Sequence, residues 1–180
     1  GQSSLAYPID DANLIGIETT WQFELAFAND ASANNNFQVF LAANDSNFYS
    51  AGVDGYAVVI DQSSLPSAGT ADYIRLYRVT DGVYGTTPII NSSTDWIDNV
   101  NGGARVGIHV SLNEEGTWTL SVDNNGGFNN LSSLGSGTDA SGGAITFPTA
   151  KFFGVRFKYL AAASDLFRID AVSMTQSDVG

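Results

Sequence analysis

The chain predicts an all-β fold, an antiparallel sandwich of two sheets, and three observations carry that expectation. Apolar and polar residues alternate with period two in run after run. Clusters of Asn, Asp, Ser and Gly separate those runs, and no segment keeps a helical period for a useful length. The composition points the same way: 11 Phe, 7 Tyr and 19 Gly, with few of the residues that favour helix interiors.

The first clear strand is "WQFELAF", where Trp21, Phe23, Leu25 and Phe27 share one face and Gln22, Glu24 and Ala26 the other. Two shorter runs, "NFQVFLA" and "GYAVVID", read as strands of nearly continuous apolar character. In "DYIRLYRV", Ile74 and Leu76 oppose Tyr73, Arg75 and Tyr77. "ARVGIHVSL" sets Val106, Ile108, Val110 and Leu112 against Arg105, Gly107, His109 and Ser111. "TWTLSV" sets Trp118, Leu120 and Val122 against Thr117, Thr119 and Ser121. "FFGVRFKYL" sets Phe153, Val155, Phe157 and Tyr159 against Gly154, Arg156 and Lys158. The last strand, "DLFRIDAVSM", changes parity after Ile169, and a bulge near Asp170 reconciles its two halves. Turn clusters such as "NDASANNN", "NDSN", "SSLPSAG", "NVNGG", "NEEG" and "SGTDASGG" join the strands. No composition shift marks a linker and no repeat recurs, so residues 1–180 read as a single domain.

The formal charge of −12, from 19 acidic and 7 basic residues, repels phosphate backbones and argues against a nucleic-acid partner. No apolar run approaches the ~20 residues of a membrane helix, so membrane insertion is not expected. Cysteine is absent, which excludes disulfides and thiolate metal sites. The opening "GQSSLAYP", without an initiator Met, fits a chain that starts after a removed secretory signal, with room for Gly1 to be a cloning remnant. The expected location is therefore secreted or at the cell surface.

The elements "TWQFELAF", "FQVFLAANDSN", "GYAVVI", "DYIRLYRVTDG", "GTWTLSVDNNGG", "FFGVRF" and "FRIDAVSM", in that order, cover Thr20 to Met174. Together they resemble the laminin-G-like or concanavalin A-like β-sandwich domains of extracellular proteins. The nearer likeness is to modules in secreted and surface proteins of Bacteroidetes-type bacteria. The resemblance implies a jelly-roll of two curved sheets, one of which, or its loop rim, binds carbohydrate, sometimes with calcium. Neighbouring domains in a longer protein are implied as well. Function on a shared fold still has to be argued from a site.

Catalytic chemistry is hard to find. Related sandwiches include laminarinase-type glycoside hydrolases, which carry Glu-x-Asp-x-x-Glu on one strand; here Glu18, Glu24, Glu114 and Glu115 are the four Glu and none fits that pattern. There is one His, His109, and no Gly-x-Ser-x-Gly elbow. The expectation is a protein that is not an enzyme. His109 is a candidate ligand contact, its bland alternative being a histidine on a half-exposed sheet. No cofactor is required by these residues. Calcium is the metal that hard oxygen ligands would favour, with Asp123 and Asn125 of "DNNGG" as candidate ligands. The same stretch also reads as a tight hairpin turn in which Asn125–Gly126 reverses the chain.

Carbohydrate recognition needs aromatic faces to stack on sugar C–H patches, flanked by planar polar groups. Tyr73, Arg75 and Tyr77 form an outward row on one strand, and parity brings His109 and Arg156 outward on others. Trp96, in "STDWIDN", lies outside clear alternation and is either a stacking platform or a plug of the sandwich end. Five of the seven basic residues, Arg75, Arg78, Arg105, Arg156 and Lys158, lie on expected strands, which suits an acidic polysaccharide unless they only cover a solvent face. The leading expectation is a non-catalytic, lectin-like carbohydrate-binding module. The alternative is a structural or adhesion module of a larger surface protein, and a glycan-cleaving enzyme comes third.

Overall fold

The computed structural model describes residues 1–27, 31–32, 34–60, 71–101, 105–161 and 167–177. The turn cluster "SSLPSAG" and parts of "NDASANNN" and "NVNGG" lie outside the described residues. Eleven strands follow in chain order among those described: β1 (Gln2–Asn13), β2 (Glu18–Ala26), β3 (Asn36–Ala43), β4 (Gly55–Ile60), β5 (Ile74–Thr80), β6 (Val83–Tyr84), β7 (Val106–Leu112), β8 (Thr117–Asp123), β9 (Ser132–Thr138), β10 (Thr149–Lys158) and β11 (Arg168–Ser177). They form two antiparallel sheets, a six-stranded one ordered β1-β10-β3-β4-β5-β6 and a five-stranded one ordered β11-β2-β7-β8-β9. Short helical turns are found at Trp96–Asn101 and Ser141–Gly143.

Alternation becomes packing in the space between the sheets. The inward sets of β2, β7 and β8 are fully buried, and Phe153, Val155 and Phe157 of β10 meet them from the other sheet. Trp21 and Trp118 stack with centroids 5.5 Å apart and planes at 16°, and Tyr56 closes on Trp118 at 4.8 Å. Such pairs add roughly 1 kcal/mol each beyond their burial.

β3 and β4 are buried on both faces, as their unbroken apolar runs require. Their second face carries a smaller cluster of Phe40, Ala57, Val59, Tyr77 and Val79, covered by Phe48 and Val53 from the segment that joins β3 to β4. Phe48 stacks on Phe40 at 4.5 Å and 5°. Gly154 makes room for that lid, because a Cβ there would lie 2.0 Å from the Leu5 carbonyl oxygen and 2.6 Å from the Phe48 ring. Gly154→Ala is therefore expected to cost about 2 kcal/mol in urea unfolding, by forcing β1 and the lid apart. An unchanged midpoint would show that the lid yields freely.

One end of the sandwich is tied by Asp72, which is 1% exposed. Its Oδ2 accepts the Ala31 N–H at 2.6 Å, its own N–H donates to Asp95 Oδ2 at 3.1 Å, and its carbonyl accepts the Trp96 N–H at 3.0 Å. Burial, reinforced by the negative charge of Asp95, raises its pKa to about 7. The folded protein thus keeps a proton that the unfolded chain releases near pH 4. This group makes stability fall as pH rises from about 4 to about 7, with no further change above that. Asp72→Asn keeps the acceptor for Ala31 and removes the titration. The variant should gain on the wild type more at pH 8 than at pH 5 in urea unfolding, and an equal difference at both would contradict the assignment.

Candidate functional site

With Trp21, Phe23 and Leu25 turned inward, β2 must present Thr20, Gln22 and Glu24 to the opposite face. The same parity turns Gly107, His109 and Ser111 of β7 outward, and Thr119, Ser121 and Asp123 of β8. Strand pairing then aligns these residues across the whole five-stranded sheet. One row runs Ser173–Gln22–His109–Ser121–Ser133 and the next Thr175–Thr20–Ser111–Thr119–Ser136. The six central members are half-buried and the four on the edge strands are exposed. At about 4.8 Å between strands, each row spans roughly 19 Å.

These ten positions carry hydroxyls, one amide and one imidazole, and no carboxylate or cation. Hydroxyls and amides both donate and accept, which matches the hydroxyl groups of a saccharide. Ser111 and Thr119 already share a hydrogen bond of 2.6 Å, so part of the ladder is pre-aligned. Burial holds the His109 pKa below its usual value, so the imidazole is neutral at pH 7 and offers one donor and one acceptor.

A third row, Asp170–Glu24–Gly107–Asp123, forms the rim. Here the residues joining β8 to β9 fold back across the face. Gly107 permits the approach, since a Cβ there would come within 1.7 Å of the Gly127 carbonyl oxygen and 3.3 Å of the Phe128 ring. Glu24 accepts the Gly127 N–H at 2.7 Å through Oε1 and pairs with Arg105 at 2.8 Å through Oε2. Arg105 also reaches Asp170 at 3.1 Å. Asp123 Oδ1 accepts the Asn125 N–H at 3.0 Å and Oδ2 the Asn130 N–H at 2.8 Å, and these N–H bonds hold its pKa below the ordinary value. Asn124, Asn125, Asn129 and Asn130 are left exposed along the rim, beside half-buried Phe128.

The candidate residues read from the sequence do not form one site. His109, Asp123 and Asn125 fall on this face or its rim. Arg75, Tyr77 and Arg156 belong to the six-stranded sheet and Tyr73 directly precedes its strand β5; Arg75 and Tyr77 are buried there, and Tyr73 and Arg156 are half-buried. Arg75 is 9% exposed, donates through Nε to the Ser92 carbonyl at 2.8 Å, and lies 4.5 Å over the Tyr73 ring. Tyr77 is 2% exposed beside Tyr84, and its hydroxyl has no hydrogen-bond partner among the described residues. Arg156 donates to Gln38 Oε1 at 2.5 Å, to the Phe48 carbonyl at 2.6 Å and to the Tyr84 hydroxyl at 3.3 Å. Three of its five N–H groups are thus engaged within the chain, and its guanidinium holds the Phe48 lid.

Trp96 is no stacking platform: it is 0% exposed, and its Nε1–H donates to the Phe27 carbonyl at 2.8 Å. The reading of "DNNGG" as a tight hairpin turn holds only in part: the Gly126 N–H donates to the Asp123 carbonyl at 3.3 Å and the chain turns back to pair β9 with β8, but over a longer connection. Gly126 does take a positive φ of 74°, but residues 124–131 intervene before β9. Sequence reasoning passed over Phe128 because it placed the turn before it. It passed over Gln22, Ser121 and their row because alternation gives each strand's outward set but not the order of strands.

As for calcium, Asp123 does not offer a cation cage. Both of its oxygens face N–H donors, whose polarity suits an anion, and no group of three His, Asp or Glu gathers for a metal among the described residues.

No protein-family model matches the chain, and no curated protein sequence does. Among solved structures the chain is similar to the exoplasmic/lumenal domain of VIP36 in a Ca2+- and mannose-bound form. The TM-score is 0.64 at 13% identity, over 99% of this chain and 75% of that one. It is similar to lectin I-B4 of Griffonia simplicifolia in a metal-free form, with TM-score 0.56 and 12% identity over 98% of this chain and 80% of that one. It is also similar to the carbohydrate recognition domain of Emp47p, with TM-score 0.55 and 13% identity over 97% and 77%. At these identities the likeness establishes the fold. The two-sheet sandwich expected from sequence has the fold of these structures.

Proposed function

We propose that the chain is a non-catalytic carbohydrate-binding module, acting outside the cell or at its surface, and that it takes its glycan on the polar face of the five-stranded sheet. The observation that carries this reading is the pair of unbroken rows built from Gln22, His109, Ser121, Thr20, Ser111 and Thr119. The fold supports it, because structures of this shape include proteins described as bound to mannose or as carbohydrate recognition domains.

The ligand class follows from charge. Arg75 and Arg156 are engaged inside the six-stranded sheet, and Arg105 is shared by two carboxylates. Arg168, exposed at the far end of β11, lies in the same groove as Glu24 and Asp170. A surface of net charge −12 without a cation in its ladder suits a neutral saccharide better than an acidic one. Glu24 and Asp170 are the carboxylates that approach each other on this face. Arg105 binds both and favours their ionised forms, which suits neither to the part of general acid.

The test is an array of neutral and acidic polysaccharides, read with calcium and then with chelator. Saturable binding to a neutral class is the expected result. A silent array would overturn the reading and favour a structural or adhesion module of a larger surface protein. That alternative draws on a different feature, an apolar groove of about 670 Å³ between β1 and β11 where Leu5, Tyr7 and Val172 are exposed.

A further inference from the structure

The rim of the polar face is held by hydrogen bonds and an ion pair within the chain. Two carboxylates approach residues 124–131 from separate strands, and each takes backbone N–H groups rather than presenting its oxygens to a common centre. Asp123, at the end of β8, holds Asn125 and Asn130 at 3.0 and 2.8 Å, bracketing the rim from both sides. Glu24, on β2, holds Gly127 at 2.7 Å and is itself fixed by Arg105 at 2.8 Å. Gly126 adds a bond from its N–H to the Asp123 carbonyl at 3.3 Å, and the Asn124 side-chain amide reaches the Asn99 carbonyl at 3.3 Å. The Gly127 carbonyl then seats against Gly107, where no side chain could stand.

We infer that Asp123 and Glu24 form a carboxylate–amide clasp that does for this rim what a bound cation does where oxygen ligands converge, so that the rim is shaped, and ligand is taken, without calcium. A carboxylate that receives N–H groups is held by charge-assisted bonds, which are shorter and stronger than neutral ones. Each such bond also aims a carboxylate oxygen at an N–H group rather than at a centre shared with other oxygen ligands. Asp123 and Glu24 are positioning residues: they set where the exposed Asn125, Asn129 and Asn130 stand along the ladder. The inference rests on the carbohydrate-binding reading only for what the rim borders; the clasp itself is a property of the chain alone.

The experiment follows the 180-residue chain through thermal unfolding and calorimetric titration with calcium chloride, against an excess of chelator. The melting temperature should agree within about 1 °C in both, with no saturable heat of calcium uptake. Saturable uptake together with a rise of about 5 °C or more would overturn the inference, since a ligand bound only by the folded state must raise its stability.

Amide hydrogen exchange supplies the second readout. The Gly127 and Asn130 N–H groups should be protected in the wild type, and Asp123→Ala should raise exchange at Asn130 about tenfold or more with calcium absent or present. Glu24→Gln, which keeps an acceptor, should leave Gly127 partly protected. Unprotected Gly127 and Asn130 in the wild type would also overturn it. None of these readouts needs a glycan, so a silent array and a failed clasp remain separate results.

Discussion

Replacing Trp96 with alanine is expected to cost about 4 kcal/mol of folding free energy and to lower the melting temperature by about 8–16 °C. The indole is fully buried, sits edge-on to Phe37 at 5.4 Å and 81°, and donates to the Phe27 carbonyl at 2.8 Å. Its backbone N–H also reaches the Asp72 carbonyl, so the residue anchors the turn between β6 and β7 to the same end of the sandwich. Truncation leaves a cavity as well as a lost donor, and close-packed surroundings fill such a cavity only in part. Trp96→Phe keeps a ring in place and should cost less, about 2 kcal/mol. Urea unfolding checks both. Glycan affinity in Trp96→Phe should equal that of the wild type, because the ring lies in the core; a loss of affinity with the fold intact would restore Trp96 to the binding surface.

The largest effect on binding belongs to the centre of the polar ladder. Gln22→Ala combined with His109→Ala removes the amide and the imidazole from adjacent positions on β2 and β7. Affinity for a glycan found by the array should fall about 10- to 100-fold, on the scale of one or two hydrogen bonds lost from a desolvated contact. Both side chains are half-buried and point away from the core, so the melting temperature should move by only a few degrees. Tyr73→Ala is the counterpart on the other sheet. It strips the ring from beneath Arg75 and should leave the affinity unchanged. Calorimetric titration of the three proteins separates the faces: loss in Tyr73→Ala and none in the double variant would transfer the site to the six-stranded sheet.

Strands whose identity depends on local pattern were legible in the sequence. β2, β7 and β8 alternate without a break, and their inward residues are the core. The parity change in "FRIDAVSM" foretold the slip between Asp170 and Ser173, where Ala171 takes a φ of 49°. Strands that depend on partners were not legible. β1 contains Pro8 and two Asp residues at positive φ, and it exists as an edge because β10 supplies its hydrogen bonds. β9, "SSLGSGT", is poor in strand-forming side chains and is held by β8.

The candidate site divides in the same way. That His109 and Gln22 face away from the core follows from period two alone, but that they are neighbours follows from pairing. Period two likewise turns Tyr77 and Arg156 from the inter-sheet core, but that the segment between β3 and β4 returns over that face is a long-range event carried by Phe48 and Val53.

The most direct test of the central claim is amide chemical-shift mapping with a neutral polysaccharide titrated into the isotopically labelled chain. Saturable shifts should concentrate on β2, β7 and β8 around Gln22, His109 and Ser121 and on the rim from Asn124 to Asn130, with the six-stranded sheet silent. Saturable shifts centred instead on β5 and β10, around Tyr73, Arg75 and Arg156, would contradict the assignment of the binding face.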